Sequence, residues 1–144
     1  MTGSLTTDPD RFSSESWNLL LASQDVARRW RHSEMDVEHL LQVLFSDIAY
    51  KSWVENLSVD AADLLFRLEN FLAEQPISRE EELFVGDGLE DVLEEADRSR
   101  VQWGTRLIEV SHLLIALGRD PKIGMDLFAQ LGLPSEQLEA EIRR

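Results

Sequence analysis

Two stretches of this chain repeat one another. Residues 34–44 read EMDVEHLLQVL, and seventy-three positions later residues 107–117 read LIEVSHLLIAL. The same register, without gaps, sets Leu20 against Leu93, Trp30 against Trp103, His39 against His112 and Leu44 against Leu117. Farther on, Leu57-Ser-Val-Asp matches Leu131-Gly-Leu-Pro with one residue of slip. Agreement at such structure-determining positions marks an internal repeat. Each copy occupies about half of 144 residues, too little chain to bury its own apolar face well. The copies are therefore expected to pack as a pseudo-symmetric pair inside one compact domain.

Apolar spacing says what each copy is made of. Trp17, Leu20, Leu21, Ala27 and Trp30 follow a helical stripe, with Ser13 as cap and Phe12 and Trp17 as a hydrophobic staple. Asp36 caps a short, very apolar helix through Leu40, Leu41, Leu44 and Phe45. A third segment spans roughly Ile48 to Leu57, and Asp60 caps a fourth carrying Leu64, Leu65, Leu68, Phe71 and Leu72. The order then recurs. Asp87 with Glu90 suits a capping box before Leu89, Val92, Leu93, Ala96 and Trp103. Ile108 to Leu117, Met125 to Leu131 and a last helix after Leu133-Pro134-Ser135 complete the second copy. Sustained period-2 alternation is missing, so strands are not expected. The fold class is all-α: two pseudo-symmetric repeats of about four short helices each. Residues 1–11 read as a flexible lead-in, 12–72 as repeat 1, 73–88 as an acidic connector and 89–144 as repeat 2. Within the connector, Leu83-Phe84-Val85 is expected to lie extended against the body.

Charge narrows the partners. A formal net charge of −14 repels phosphate and anionic lipid headgroups, so neither nucleic acid nor a membrane is expected as partner. The basic cluster Arg28, Arg29 and Arg31 is too small for a nucleic-acid footprint. With no cysteine, disulfides, thiolate metal sites and cysteine nucleophiles are excluded, which fits a reducing cytoplasm. No apolar run reaches a membrane-spanning length, and the first ten residues lack the basic start and apolar core of a secretory signal. A cytoplasmic location follows as the expectation.

The quoted residues carry a family resemblance. Phe12-Ser13-x-Glu15, Ala22-Ser-Gln24-x-x-Ala27 and Met35-Asp36-Val37-Glu38-His39-Leu40-Leu41 resemble the N-terminal repeat domain of the Clp ATPases, the ClpA, ClpB and ClpC type. Trp103-Gly104 and Ile108-Glu109-Val110-Ser111-His112-Leu113-Leu114 repeat the match, and the resemblance covers residues 10–143. It implies a flexibly attached domain that engages unfolded or aggregated clients, or adaptor proteins, and hands them to an ATPase ring encoded in the same full-length chain. It implies no enzymatic activity for the domain itself, and the residues agree. A P-loop needs glycines leading into Lys-Ser/Thr, whereas Lys51 sits in Ala-Tyr-Lys-Ser and Lys122 in Asp-Pro-Lys-Ile. An alternative reading is a free-standing relative, a regulatory or assembly protein that docks on a Clp protease core.

Several residues are candidates for function. In relatives of the ClpC type the glutamate before the repeated histidine, with the Ser/Thr capping the first helix, binds phosphorylated arginine. Glu38 and Ser13 match those places, but Ser111 stands where the second glutamate belongs. Together with the long connector, that substitution favours the ClpB type. Phe12, Ser13, Glu38, Thr105 and Ser111 are the candidate substrate-binding residues. His39, His112, Asp36, Trp30 and Trp103 read as structural, the two imidazoles packing and hydrogen-bonding at helix N-termini. Three histidines without cysteine make a poor metal set, and 28 acids bring carboxylates together by chance, so no metal, cofactor or glycosidase-type pair is expected. Trp53 is the tryptophan expected to be partly exposed.

Overall fold

The computed structural model describes residues 5–144. Repeat 1 contributes α1 (Ser14–Trp30), β1 (Glu34–Met35), α2 (Val37–Ser46), α3 (Lys51–Val54) and α4 (Ala61–Glu74). Then come β2 (Phe84–Val85), α5 (Asp87–Trp103), α6 (Val110–Leu117), α7 (Gly124–Gln130) and α8 (Ser135–Arg143). Helices α1 and α5 have 17 residues each and occupy the same repeat positions from first to last. The domain is all-α apart from two-residue strands, as the periodicity requires.

Local chemistry sets the ends of these helices. Ser13 Oγ accepts from Ser16 N at 3.2 Å and caps α1, while the Phe12 and Trp17 rings meet at 5.5 Å as the staple. Asp60 Oδ1 accepts from Ala62 N and Asp63 N at 3.0 and 3.2 Å and caps α4. Both long helices stop on a left-handed residue that returns its N–H to the last turn: Arg31 with φ 63° and Gly104 with φ 73°. Residues 5–11 form two single 3-10 turns, and Leu5 packs on the core. The start of the lead-in, residues 1–4, lies outside the described residues.

The expected cap at Asp87 is a correction. The N-cap of α5 is Gly86, and Asp87 is the first helical residue, with no side-chain cap bond. Gly86 is held by strand pairing, its N–H donating to Met35 O at 2.9 Å. A Cβ at Gly86 would fall on the Asp36 carboxylate, so only glycine fits there.

The centre is built from α2 and α6. Leu40, Leu41, Leu44, Leu113, Leu114 and Leu117 are fully buried, and each such side chain is worth roughly 1.5–3 kcal/mol of transfer free energy. Helix α1 packs on α2 as α5 packs on α6, and α2 also reaches α5 and α7. Phe45 meets Phe128 across the two copies at 6.0 Å between ring centroids.

The copies are also stitched by backbone, and the stitching is crossed. The residue before the cap of α1 pairs with the residue before the cap of α6 through a parallel bridge, Phe12 to Ile108. The residue before the cap of α5 pairs with the residue before the cap of α2, Val85 with Met35 in the parallel β1–β2 ladder. Ser13 N donates to Ile108 O at 3.0 Å, and its repeat equivalent Gly86 N donates to Met35 O at 2.9 Å.

Arg31 holds a conformation that repeat 2 gives to glycine. Arg31→Gly should raise stability by about 1 kcal/mol, and Gly104→Ala should lower it by a similar amount, because nothing stands within 4 Å of a Cβ at Gly104 and backbone strain is the only penalty. Urea denaturation of both variants measures this, and equal and unchanged midpoints would remove the strain argument.

Candidate functional site

Crossed stitching creates two equivalent junctions, each bringing one long-helix start beside one central-helix start. At the first junction Ser16 Oγ donates to Ile108 O at 2.5 Å and lies 2.6 Å from Ser13 Oγ, while Ile108 N donates to Arg11 O at 2.8 Å. Phe12 is buried beneath, and Ser13 and Ser111 are half-buried at its surface, Ser111 in the first turn of α6. The second junction carries Met35, Asp36, Val37 and Glu38 at the start of α2, and Gly86, Asp87 and Gly88 at the start of α5.

The second junction is closed by a residue from elsewhere in the chain. Lys122, in the turn before α7, donates to Asp36 Oδ2 at 3.0 Å and to Glu38 Oε2 at 3.1 Å. Glu38 Oε1 is also 3.1 Å from the ammonium but has no hydrogen bond of good geometry. Burial would lower the Lys122 pKa, but the Glu38 and Asp36 carboxylates outweigh it and hold the ammonium above its ordinary value. Burial raises the Glu38 carboxyl, with Lys122 opposing. Beside it opens an acidic cleft of about 330 Å³, lined in part by Glu34, Asp87, Asp91 and Glu95.

The five candidate binding residues therefore do not converge. Phe12, Ser13 and Ser111 share the first junction, and Glu38 belongs to the second. Thr105 lies past the far end of α5 and supports His112. The pairing of Ser13 with Glu38 assumes that each repeat builds its own junction, whereas the two residues lie in different ones. At the repeat position of that glutamate, Glu38 is buried and ion-paired and the second copy has serine, so neither presents a free carboxylate.

Beneath both junctions the histidines act as helix-start acceptors. Asp36 N donates to His39 Nδ1 at 2.9 Å and Glu109 N to His112 Nδ1 at 2.9 Å, so histidine takes the place that glutamate holds in the usual capping box. Asp36 Oδ1 accepts from Val37 N at 2.8 Å. With Nδ1 accepting, the ring proton sits on Nε2. His39 Nε2 then donates to His32 Nδ1 at 2.9 Å, and His32 in turn hydrogen-bonds the Leu72 backbone. In repeat 2, His112 Nε2 donates to Thr105 Oγ1 at 3.2 Å, which donates to Arg100 O at 3.1 Å. The tryptophans flank these chains. Trp30 stacks on His32 at 5.7 Å and donates to Gln42 Oε1 at 2.9 Å, and Trp103 meets His112 edge-on at 4.7 Å under the Arg143 guanidinium. Trp53 is half-buried and donates to Glu15 Oε2 at 3.0 Å. Among the described residues, no three His, Asp or Glu side chains gather as a metal-holding group, and no helix is long and apolar enough to cross a membrane.

Sequence reasoning missed Lys122, His32, Gly86 and Gly88. Lys122 has no repeat counterpart, and its only signal is being one of two lysines. The glycines leave room for Asp36, a contact 50 residues away that spacing does not reveal.

Comparison with known proteins places this geometry. Residues 11–131 match the model of the Clp repeat (R) N-terminal domain. The chain is 55% identical over 142 residues to Chaperone protein ClpB 2 of Parasynechococcus marenigrum, covering 99% of this chain and 16% of that protein. It is 33% identical over 140 residues to Chaperone protein ClpB 1 of a Synechocystis species, covering 95% and 16%. Among solved structures it resembles the N-terminal domain of Hsp104 from Candida albicans, with a TM-score of 0.79 at 18% identity over 91% of this chain and 88% of that one.

Burial lowers the His39 pKa to about 3, with His32 and Lys122 adding, and lowers those of His32 and His112 as well. The unfolded chain takes up these protons first, near pH 6.5, so their contribution is present above that pH and lost as pH falls towards the folded values. Stability should therefore decline from pH 7 to pH 5, and His39→Ala should cost roughly 2–4 kcal/mol and flatten the decline. Chemical denaturation across that range checks this. A wild-type profile flat between pH 7 and pH 5 would contradict the neutral-histidine assignment.

Proposed function

Because the chain belongs to the Clp repeat N-terminal domain family, we propose that it is a recognition module of a Clp-type chaperone of the ClpB kind. It captures exposed segments of unfolded or aggregated protein, or an adaptor that presents them, and delivers them to an ATPase ring. It spans 16% of the length of the curated relatives it matches, so the motor and its activity lie in parts of such proteins outside these residues. The domain performs no reaction of its own and works in the cytoplasm.

The observation that carries this reading is the match to the family together with 55% identity to a ClpB chaperone across nearly the whole chain. Within the domain, the first junction is the contact surface. Phe12, Ser13 and Ser111 surround two helix starts there, whereas Lys122 fills the second junction. Weak capture suffices, since tethering above a ring raises the effective concentration of a held segment. The net charge of −14 favours clients with basic segments.

A titration of the ¹⁵N-labelled domain with a reduced and alkylated, permanently unfolded protein tests this. Without ATP, the amides of Ser13, Ile108 and Ser111 should shift progressively, with an affinity weaker than about 10 μM. Ser111→Arg should reduce those shifts while leaving the fold intact. Absence of any shift at millimolar client and adaptor concentrations would refute the capture role.

A further inference from the structure

Fourteen lysines and arginines stand against 28 acids in this chain. Six of the fourteen, Arg11, Arg67, Arg100, Arg119, Lys122 and Arg143, are held in ion pairs. Arg28, Arg31 and Arg79 form none among the described residues, and all three line one cleft of about 480 Å³. The fold builds that cleft deliberately from two distant segments. Helix α1 ends, the chain turns through left-handed Arg31, and the connector is fastened back across it. Ser78 N donates to Arg31 O at 2.8 Å, and His32 pairs with Ile77 in an antiparallel bridge. Buried His32 forms part of the wall, with Ser78 and Leu83 beside it.

Helix-end electrostatics accounts for part of this charge and not for the rest. Arg28 sits in the last turn of α1, where a cation complements the helix macrodipole. Arg79 comes from the connector and owes nothing to that dipole. It lines the same cleft as Arg28 and Arg31, two like charges. Glu80 and Glu81 also border the cleft, but neither forms an ion pair with these arginines. Three arginines against two glutamates leave the lining of this cleft net positive in a chain of net charge −14, and a concave wall focuses that potential. Guanidinium forks bind carboxylate or phosphate oxygens in pairs.

We propose that this cleft docks an acidic peptide segment of a partner protein, whose carboxylate or phosphate-bearing side chains pair with Arg28, Arg31 and Arg79. The net charge of −14 disfavours a polynucleotide, whose backbone would extend beyond the cleft. None of the cleft's lining residues belongs to the first junction, so anionic docking is separate from client capture and survives if that reading fails.

Fluorescence anisotropy on the intact domain tests the proposal, using a labelled twelve-residue Asp/Glu peptide, the same peptide carrying phosphoserines, inorganic phosphate and a single-stranded oligonucleotide. The acidic peptide should bind at low salt and weaken at least about tenfold between 50 and 300 mM salt, as an exposed charge contact requires. The double variant Arg28→Ala, Arg79→Ala should lose at least about tenfold in affinity with a melting temperature lowered by no more than about 4 °C, the share of the Arg28 helix-end contact, while Arg28→Lys, Arg79→Lys should retain part of the affinity. Tighter binding of the phosphopeptide assigns phosphate as the recognised group, and equal binding assigns carboxylate; both support the proposal. No binding of either peptide at about 1 mM, equal affinity in wild type and the alanine variant, or preference for the oligonucleotide overturns it. Unfolded-client binding by the alanine variant should be unaffected.

Discussion

Four backbone hydrogen bonds decide how this domain is put together. Ser13 N to Ile108 O and Ile108 N to Arg11 O join the start of α1 to the start of α6. Gly86 N to Met35 O and Phe84 N to Ser33 O join the start of α5 to the start of α2. Each copy thus completes the other copy's helix starts, and neither can satisfy these groups alone. Buried backbone donors and acceptors left unpaired are costly, so the crossing ties the two halves into one cooperative unit as firmly as the apolar contacts do. It also fixes where function is possible, because the exposed groups of two helix starts meet at each junction.

Symmetry in the frame makes the departures from it informative. Both copies hold a neutral histidine under a central-helix start, and both continue the donor chain one step further. Repeat 1 uses His32 and reaches α4 at Leu72, whereas repeat 2 uses Thr105 and returns to its own α5 at Arg100. Lys122 has a partner in only one junction, where Asp36 and Glu38 need a cation to justify their burial. The result is one junction bridged by an ammonium, one built around serines and an arginine cleft that the repeat does not duplicate.

Much of this was legible in the residues. Caps at Ser13, Asp36 and Asp60, the Phe12–Trp17 staple and the helical seams are local, and local chemistry reads directly from spacing. The EMDVEHLL phrase and its partner LIEVSHLL tell that two similar bodies pack together, and of the extended Leu83-Phe84-Val85 segment Leu83 and Val85 lie against the body while Phe84 is exposed. What spacing could not tell was partner choice. Pairing Ser13 with Glu38 treats a repeat as a self-contained unit, and the backbone crossing sends them to different junctions. The N-cap of α5 was misplaced for the same reason, since Gly86 answers to Asp36 on the other copy. His32 sits in the polar run Arg31-His32-Ser33-Glu34, and only its long-range partners make it a buried link.

For a recognition module such a scaffold has a clear use. A rigid body with interlocked halves presents shallow surfaces whose chemistry can vary residue by residue, as Ser111 and Lys122 do here, without altering the frame. The most direct measurement of the interlocking is to produce residues 5–79 and 80–144 as separate fragments and record amide spectra of each alone and of the mixture. Crossed stitching predicts poorly dispersed spectra for both fragments alone and recovery of the native pattern on mixing. A well-dispersed, native-like spectrum from either fragment by itself would contradict it.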